Sequence, residues 1–492
     1  MSKNKSVQEK HKELRRERQA AEKADKKRKL IKRITIIAVS VVLVAAVVTA
    51  CIIMANNKYK ASNAYKSGTV VMSSENYKVD LAMYTYYFYD GYYGFVELYD
   101  EQLKELNMYP DITKDLKDQY NQESTWYDFF MSNTVNQINQ NLILAEAALL
   151  GDVKITDGEK AALDEKAKAI DASKYGTGVT NADILRCLEL DFIAVKYEYL
   201  TRHKDMLEGT ELEEYYDEYY KHFSTVNFRC LELPYSDSES STMTQSVAED
   251  YANLLAEAKN SDEFTELLYE NIKGMNPELT DDQIKQVYDA SFANEYAYSE
   301  GDIVTEWLFD EKREENETFV YHNPTTESYT VYLLTKLTER DMLDTVTSRH
   351  ILFTADTYGS DSAAEAKANE IKALWEKDKS EEKFTELALA YSEDRSNCYL
   401  GGLFENYTEK ELQKAYPELA SWAFGGAVKG DCAVIKSQAG YHLIAFIENG
   451  LPSALARTQS QVSGENFSES FLEFEETYKV ESFPALDEFK NA

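Results

Sequence analysis

The spacing of apolar residues changes several times along the chain, and each change marks an element. From Ile34 to Ala55 the run "ITIIAVSVVLVAAVVTACIIMA" holds 22 residues and no charge. As a helix it would be about 33 Å long, enough to cross a hydrocarbon core. Beyond it, Leu81, Tyr84, Phe88 and Phe95 recur at helical spacing through a segment with eight tyrosines between Tyr77 and Tyr99. The spacing predicts a helix, and its rings are either an aromatic face packed into a helical core or an exposed surface that holds unfolded chains. Val135, Ile138, Leu142, Ala145 and Leu149 place one apolar face on a long helix. "TDGE" at Thr156 to Glu159 reads as a capping box that starts another. The pattern continues through "NADILRCLELDFIAVKYEYL" and "TELEEYYDEYYKHF", so residues 56–222 are expected to form a mostly helical, chaperone-like domain.

From Thr225 the pattern repeats itself. "VNFRCLELPY" at Val226 parallels "VTSRHILFTA" at Val346, and "SDEFTELL" at Ser261 parallels "SEEKFTELA" at Ser380. "TEWLF" at Thr305 then matches "ASWAF" at Ala420, and "SYTVYLL" at Ser328 matches "GYHLIAF" at Gly440. Four matched segments in one order predict two tandem copies of one domain, each running strand, helix, helical middle, strand.

The repeat supplies a control for two histidines. Only six histidines occur in 492 residues, and His350 and His442 both lie in strand-like apolar runs. At their positions the first copy has Cys230 and Thr330. The fold can therefore be built without imidazole there, which favours a role for both histidines in function over a role in packing.

Charge then sets the topology. The formal net charge is −34, yet residues 1–33 carry 14 Lys or Arg against 5 Asp or Glu, and the rest carries 39 basic against 82 acidic residues. Basic flank and apolar run together predict a single membrane anchor with 1–33 cytoplasmic and the acidic bulk outside. Lipidation of Cys51 in "VTAC" and cleavage as a signal peptide are the rival readings. So acidic a surface repels phosphate backbones, so no nucleic acid is expected as a partner. Cys187, Cys230, Cys398 and Cys432 fit no Cys-x-x-Cys motif and read as isolated thiols, a Cys398–Cys432 bridge staying open. Zinc held by His350, His442 and Asp394, with or without Cys398, would lack short-range ligand spacing, so no metal is expected.

The second copy resembles the parvulin-type (PpiC, rotamase) peptidyl-prolyl cis-trans isomerases. The resemblance rests on "SRHILF", the helix pair ending in "YSED", Gly401–Gly402, "ELASWAF" and "GYHLI", over residues 346–450. Anchor, helical segment and parvulin copy in this order are similar to PrsA-like extracellular foldases, and the extra degenerate copy is similar to SurA-type chaperones.

The resemblance implies an α+β fold: a single transmembrane helix, a helical chaperone-like domain, then two parvulin-like domains with small antiparallel sheets surrounded by helices. The expected boundaries are 1–33, 34–55, 56–222, 225–340, 341–450 and 451–492. It implies His350, Asp394 and His442 as catalytic residues, and Leu352, Leu412, Tyr416, Phe424 and Ser437 as substrate-binding residues, with no cofactor. The implied partners are unfolded or newly secreted polypeptides containing proline, with the chain single-pass in the cell membrane, in the manner of a Gram-positive bacterium; a homodimer is compatible. The chain departs from the family pattern in "LFENY" after Gly402 and in the longer "ELQKAYPELASWAF". A holdase without catalysis is the alternative function.

Overall fold

The computed structural model describes residues 42–106, 108–121, 123–204, 206–236, 238, 242–275, 277–337 and 342–490, with single positions 23, 27, 28 and 32. Most of the basic segment and residues 34–41 of the expected span lie outside the described residues. What is described of the span is a helix, Val42–Lys60, with mean hydropathy 1.6 and no buried portion. It is long and apolar enough to cross a membrane, and it continues past the expected end at Ala55.

The chain divides into two compact units, one made of Met1–Asn139, Ile170–Cys187 and Val480–Ala492, the other of Gln140–Ala169 and Leu188–Lys479. In the first, strands β1 (Val70–Ser73) and β2 (Lys78–Asp80) lead into the tyrosine-dense helix Leu81–Glu105. Asp80 caps it by accepting from the amides of Ala82 and Met83 at 3.0 and 3.1 Å. Tyr84, Tyr86, Tyr87, Phe88 and Tyr92 are all buried, so these rings are core. Their hydroxyls are satisfied inside: Tyr87 donates to the Cys187 carbonyl at 3.1 Å and Tyr92 to that of Pro110 at 2.8 Å. The C-terminal segment completes this unit, since Glu481–Ser482 pairs antiparallel with β1 and Phe489 packs 5.0 Å from Tyr84.

The long helix is Trp126–Leu150. Ile138, Leu142 and Ala145 are fully buried as expected, but Leu149 is 46% exposed. The capping box forms: Thr156 N donates to Glu159 Oε2 at 2.7 Å, and Glu159 N to Thr156 Oγ1 at 3.2 Å.

The second unit contains two four-stranded antiparallel sheets. One is built from β3 (Thr225–Pro234), β4 (Phe292–Ala297), β5 (Thr318–Asn323) and β6 (Ser328–Lys336), in the order β4-β3-β6-β5. The other is built from β7 (Thr345–Phe353), β8 (Leu403–Thr408), β9 (Cys432–Lys436) and β10 (Tyr441–Asn449), in the order β8-β7-β10-β9. First and last strands are central and adjacent in both.

One face of each sheet is covered by a helix pair, Gln245–Leu255 with Ser261–Met275 and Asp361–Trp375 with Glu381–Tyr391. The matched phenylalanines Phe264 and Phe384 are buried in those two cores. Registers agree as well: Cys230 pairs with Tyr332 and Glu232 with Thr330, as His350 pairs with Ile444 and Leu352 with His442. Cys230 and Thr330 thus occupy the ladder positions of the two histidines, as the sequence repeat predicts.

Residues 451–479 are a structural part of this unit. The helix Ser453–Thr477 buries Ala454 and Leu455 against Leu212 and Tyr216. Cys187, Cys230, Cys398 and Cys432 are free thiols, so the bridge left open by the sequence is not formed.

Candidate active site

Strand alternation sends His350 and Leu352 of β7 to the face opposite the helix pair, and His442 of β10 to the same face. His350 and His442 are diagonal neighbours across the β7–β10 ladder, both with no exposed surface. Their Nδ1 atoms lie 3.1 Å apart. Ser437, in the turn before β10, places Oγ 2.7 Å from His442 Nε2.

On the other side, His350 Nε2 lies 3.1 Å from Asp394 Oδ2, at pairing distance though off the axis of a good hydrogen bond. Tyr416 donates its hydroxyl to the same oxygen at 2.8 Å. Ser396 donates its amide at 2.9 Å and its hydroxyl at 2.5 Å to Asp394 Oδ1. These contacts form one chain from Ser437 through both imidazoles to the carboxylate and Tyr416.

With both imidazoles neutral, one arrangement of protons satisfies that chain. His350 directs Nε2–H at Asp394, leaving Nδ1 to accept from His442 Nδ1–H, and the bare His442 Nε2 accepts from Ser437. Burial, reinforced by the neighbouring His350, pushes the His442 imidazole down to about 3, so it is neutral at physiological pH. Burial alone would raise the Asp394 carboxyl, but His350 and Ser396 outweigh it and hold the group well below the usual carboxylate range. Burial and the adjacent Asp394 raise the Tyr416 phenol, which stays protonated.

The loop carrying Asp394 is fastened to β7. Ser392 Oγ accepts from the amides of Leu352 and Asp394, both at 3.3 Å, and the Leu352 carbonyl accepts from Glu393 N at 3.0 Å. Lys166, from the helix Asp157–Ala169, donates to the Ser392 carbonyl at 3.2 Å. Gly402 sits at φ +70°, with its carbonyl accepting from His350 N at 2.8 Å. A Cβ there would lie 1.9 Å from the His350 carbonyl oxygen, so only glycine lets the loop approach.

The sequence-predicted residues divide in two. His350, Asp394, His442, Tyr416 and Ser437 meet in one network, with Leu352 buried in the floor beside it. Leu412 has no exposed surface and belongs to the core with Leu419, Ala420 and Ile444, so it supports the wall from behind. Phe424 is half-buried on that core. Ser437 bonds to an imidazole, and Tyr416 serves as a hydrogen-bond donor as well as an apolar wall.

Sequence reasoning missed Phe404 and Ser396. Phe404 of β8 stacks on His350 with centroids 4.5 Å apart and planes 22° from parallel. Its trace in the sequence is the aromatic of "LFENY", the segment where the chain departs from the family pattern. Among the described residues, no group of three or more His, Cys, Asp or Glu is arranged to hold a metal ion.

Residues 332–449 match the family described as the PPIC-type PPIASE domain. The match runs from within β6 to the end of β10 and includes every residue of the network. The chain therefore carries a parvulin-type domain, and its enzyme class is peptidyl-prolyl cis-trans isomerase. Among solved structures, the peptidylprolyl isomerase PrsA from Bacillus anthracis is similar at 16% identity, over 46% of this chain and 94% of that one, with a TM-score of 0.19. At that score the likeness carries no weight for the arrangement of the parts. No curated protein matches the chain.

Proposed function

We propose that the protein is a membrane-anchored extracellular foldase. It isomerises X-Pro bonds in secreted polypeptides with the network around His350 and His442, and holds clients through its helical domain, residues 56–222. The observation that carries this reading is the imidazole pair set between Asp394, 3.1 Å from His350, and Ser437, hydrogen-bonded to His442, at ladder positions where the sister sheet has Cys230 and Thr330.

An X-Pro bond rotates over a barrier of about 18–20 kcal/mol, and no bond is made or broken. The site needs only to bind the twisted amide better than the planar one. Twisting ends the resonance that puts negative charge on the carbonyl oxygen. The Asp394 carboxylate, kept ionised, disfavours the charge-separated planar form, and the half-buried rings of Tyr416 and Phe424 offer the pyrrolidine an apolar surface. The histidines hold Asp394 and Ser437 in place without exchanging protons with substrate. Leu352 and Leu412 shape the floor and wall.

The helix Val42–Lys60 and the basic residues before it support anchoring with the acidic bulk outside. The domain 225–340 is then a degenerate parvulin-like module that binds without catalysis, because rings replace the network. Phe319 and Tyr321 of β5 stand at the ladder positions of Ala433 and Ile435 of β9. The deciding experiment is a prolyl-peptide isomerisation assay on the full chain beside His350→Ala with Asp394→Ala. Loss of turnover in the double variant is expected; intact turnover would refute the site assignment and leave the holdase reading.

A further inference from the structure

Outside the network, one histidine touches the isomerase domain from a distant part of the chain. His203, near the end of the helix Asn181–Lys204, places Nε2 3.2 and 3.3 Å from the two carboxylate oxygens of Glu405 in β8. Its Nδ1 lies 2.7 Å from the Tyr199 carbonyl. A carbonyl only accepts, so Nδ1 always carries a proton and Nε2 is the nitrogen that titrates. Protonated, Nε2–H donates to Glu405; neutral, its lone pair faces a carboxylate. The contact is attractive in one state only.

β8 links this contact to the site. Glu405 and Phe404 are consecutive and point to opposite faces, and Phe404 is the ring stacked on His350. β8 is an edge strand, and Glu405 lies in the bulge of its ladder with β7, where Glu405 and Asn406 stand opposite Thr347 alone between the pairs Val346–Tyr407 and Ser348–Phe404. A cavity of about 530 Å³ adjoins the pair and admits water to it. The charged and titratable groups around His203 and the cavity beside it are Tyr199 and Arg202 on its own helix, Glu405 and Tyr407 on β8, Glu411 on the helix that follows, and Arg457 on the helix Ser453–Thr477, with Arg349 and Glu381 acting on Tyr199, whose ring packs on His203. Arg202 is paired with Glu198 at 2.7 Å.

We propose that His203 is a positioning residue for the isomerase: its cation fastens β8 through Glu405 and thereby holds Phe404 against His350, and deprotonation releases the strand. The proposal rests on the isomerase reading of the site. The pair with Glu405 raises the imidazole above its ordinary 6.5, so the fastening is complete below that pH and is lost as pH rises through the elevated value.

The test uses the full chain and the variants His203→Leu and His203→Arg. In a prolyl-peptide assay, kcat of the wild type should fall about two- to fivefold as pH rises past 6.5, with KM little changed. His203→Leu should be flat at the lower level and His203→Arg, a permanent cation, flat at the upper one. Hydrogen exchange of β8 amides, compared between proteins at each pH, reads the fastening without catalysis: the wild type should move from the Arg-like to the Leu-like rate. Identical pH profiles and identical β8 exchange in all three proteins would overturn the proposal. An inactive wild type whose β8 exchange still switches would instead count against the isomerase reading alone.

Discussion

The β3–β6 and β7–β10 sheets share strand order and register and pack a matching helix pair on one face, yet their opposite faces are filled in contrasting ways. On the β7–β10 sheet that face carries Ser348, His350 and His442, small or polar groups that leave room for a hydrogen-bonded chain. On the β3–β6 sheet the same levels carry Phe228, Cys230 and Thr330, and Phe228 packs edge-on to Tyr332 with centroids 5.5 Å apart. Trp307 and Phe319 stack beside them at 5.1 Å. The helix-facing core of such a sheet is thus set by the fold, whereas the other face is open to either rings or a polar network.

The most severe way to break the contrast is to give the second sheet the residues of the first. His350→Cys with His442→Thr should reduce isomerase turnover by about 100-fold or more. The chain should still fold, since the sister sheet is built with that pair, and circular dichroism would check this. Full activity in the double variant would remove any functional meaning from the asymmetry.

Gly402→Ala comes next. It drives a Cβ against the His350 carbonyl at a positive φ and should destabilise the domain by about 2 kcal/mol or more, read as a lowered Tm. Tyr416→Phe keeps the ring and removes the hydroxyl from Asp394, so kcat should drop about tenfold with the fold intact.

The pH response of stability tests the buried groups along a separate axis. His442 titrates at 6.5 when unfolded and at about 3 in the fold, so its contribution is complete above pH 6.5 and is lost as pH falls toward 3. Asp394 acts below that window: its folded value lies under the 3.8 of the free group, so its contribution is present above pH 3.8 and disappears in stronger acid. Melting curves should show His442→Thr with a shallower decline between pH 6.5 and 3, and Asp394→Asn with a shallower decline below 3.8. The smallest change is Cys230→Ser in the first sheet, which should shift stability by less than about 1 kcal/mol and leave turnover unaltered.

Much of the site was legible because the chain contains its own control. Aligning "NFRCLELPY" with "TSRHILFTA" singled out His350, and the observed ladders place Cys230 and Thr330 at the levels the alignment implies. The tyrosine-dense helix was legible from its spacing, but whether its rings form core or an exposed surface was decided only by the fold, which buries Tyr84, Tyr86, Tyr87, Phe88 and Tyr92. Leu412 was expected in the pocket and lies wholly in the core, since apolar residues lining a pocket and apolar residues behind it look alike in sequence. Phe404, Ser396 and His203 could not be picked out, because each matters through a partner remote in the chain or through a turn whose shape the sequence does not state.

By itself, then, the sequence determined the periodic and the repeated: helices from spacing, two copies from recurrence, an apolar span from a run without charge, and a pair of histidines from their absence in the sister copy. Tertiary structure alone decided which groups meet. Local patterns set where a side chain points, but contacts such as His350 with His442, Tyr416 with Asp394 and His203 with Glu405 form between residues 92, 22 and 202 positions apart. Such distances are closed by strand register and helix packing, and the hydrogen-bonding partner of a buried polar group is fixed only once the chain around it has collapsed.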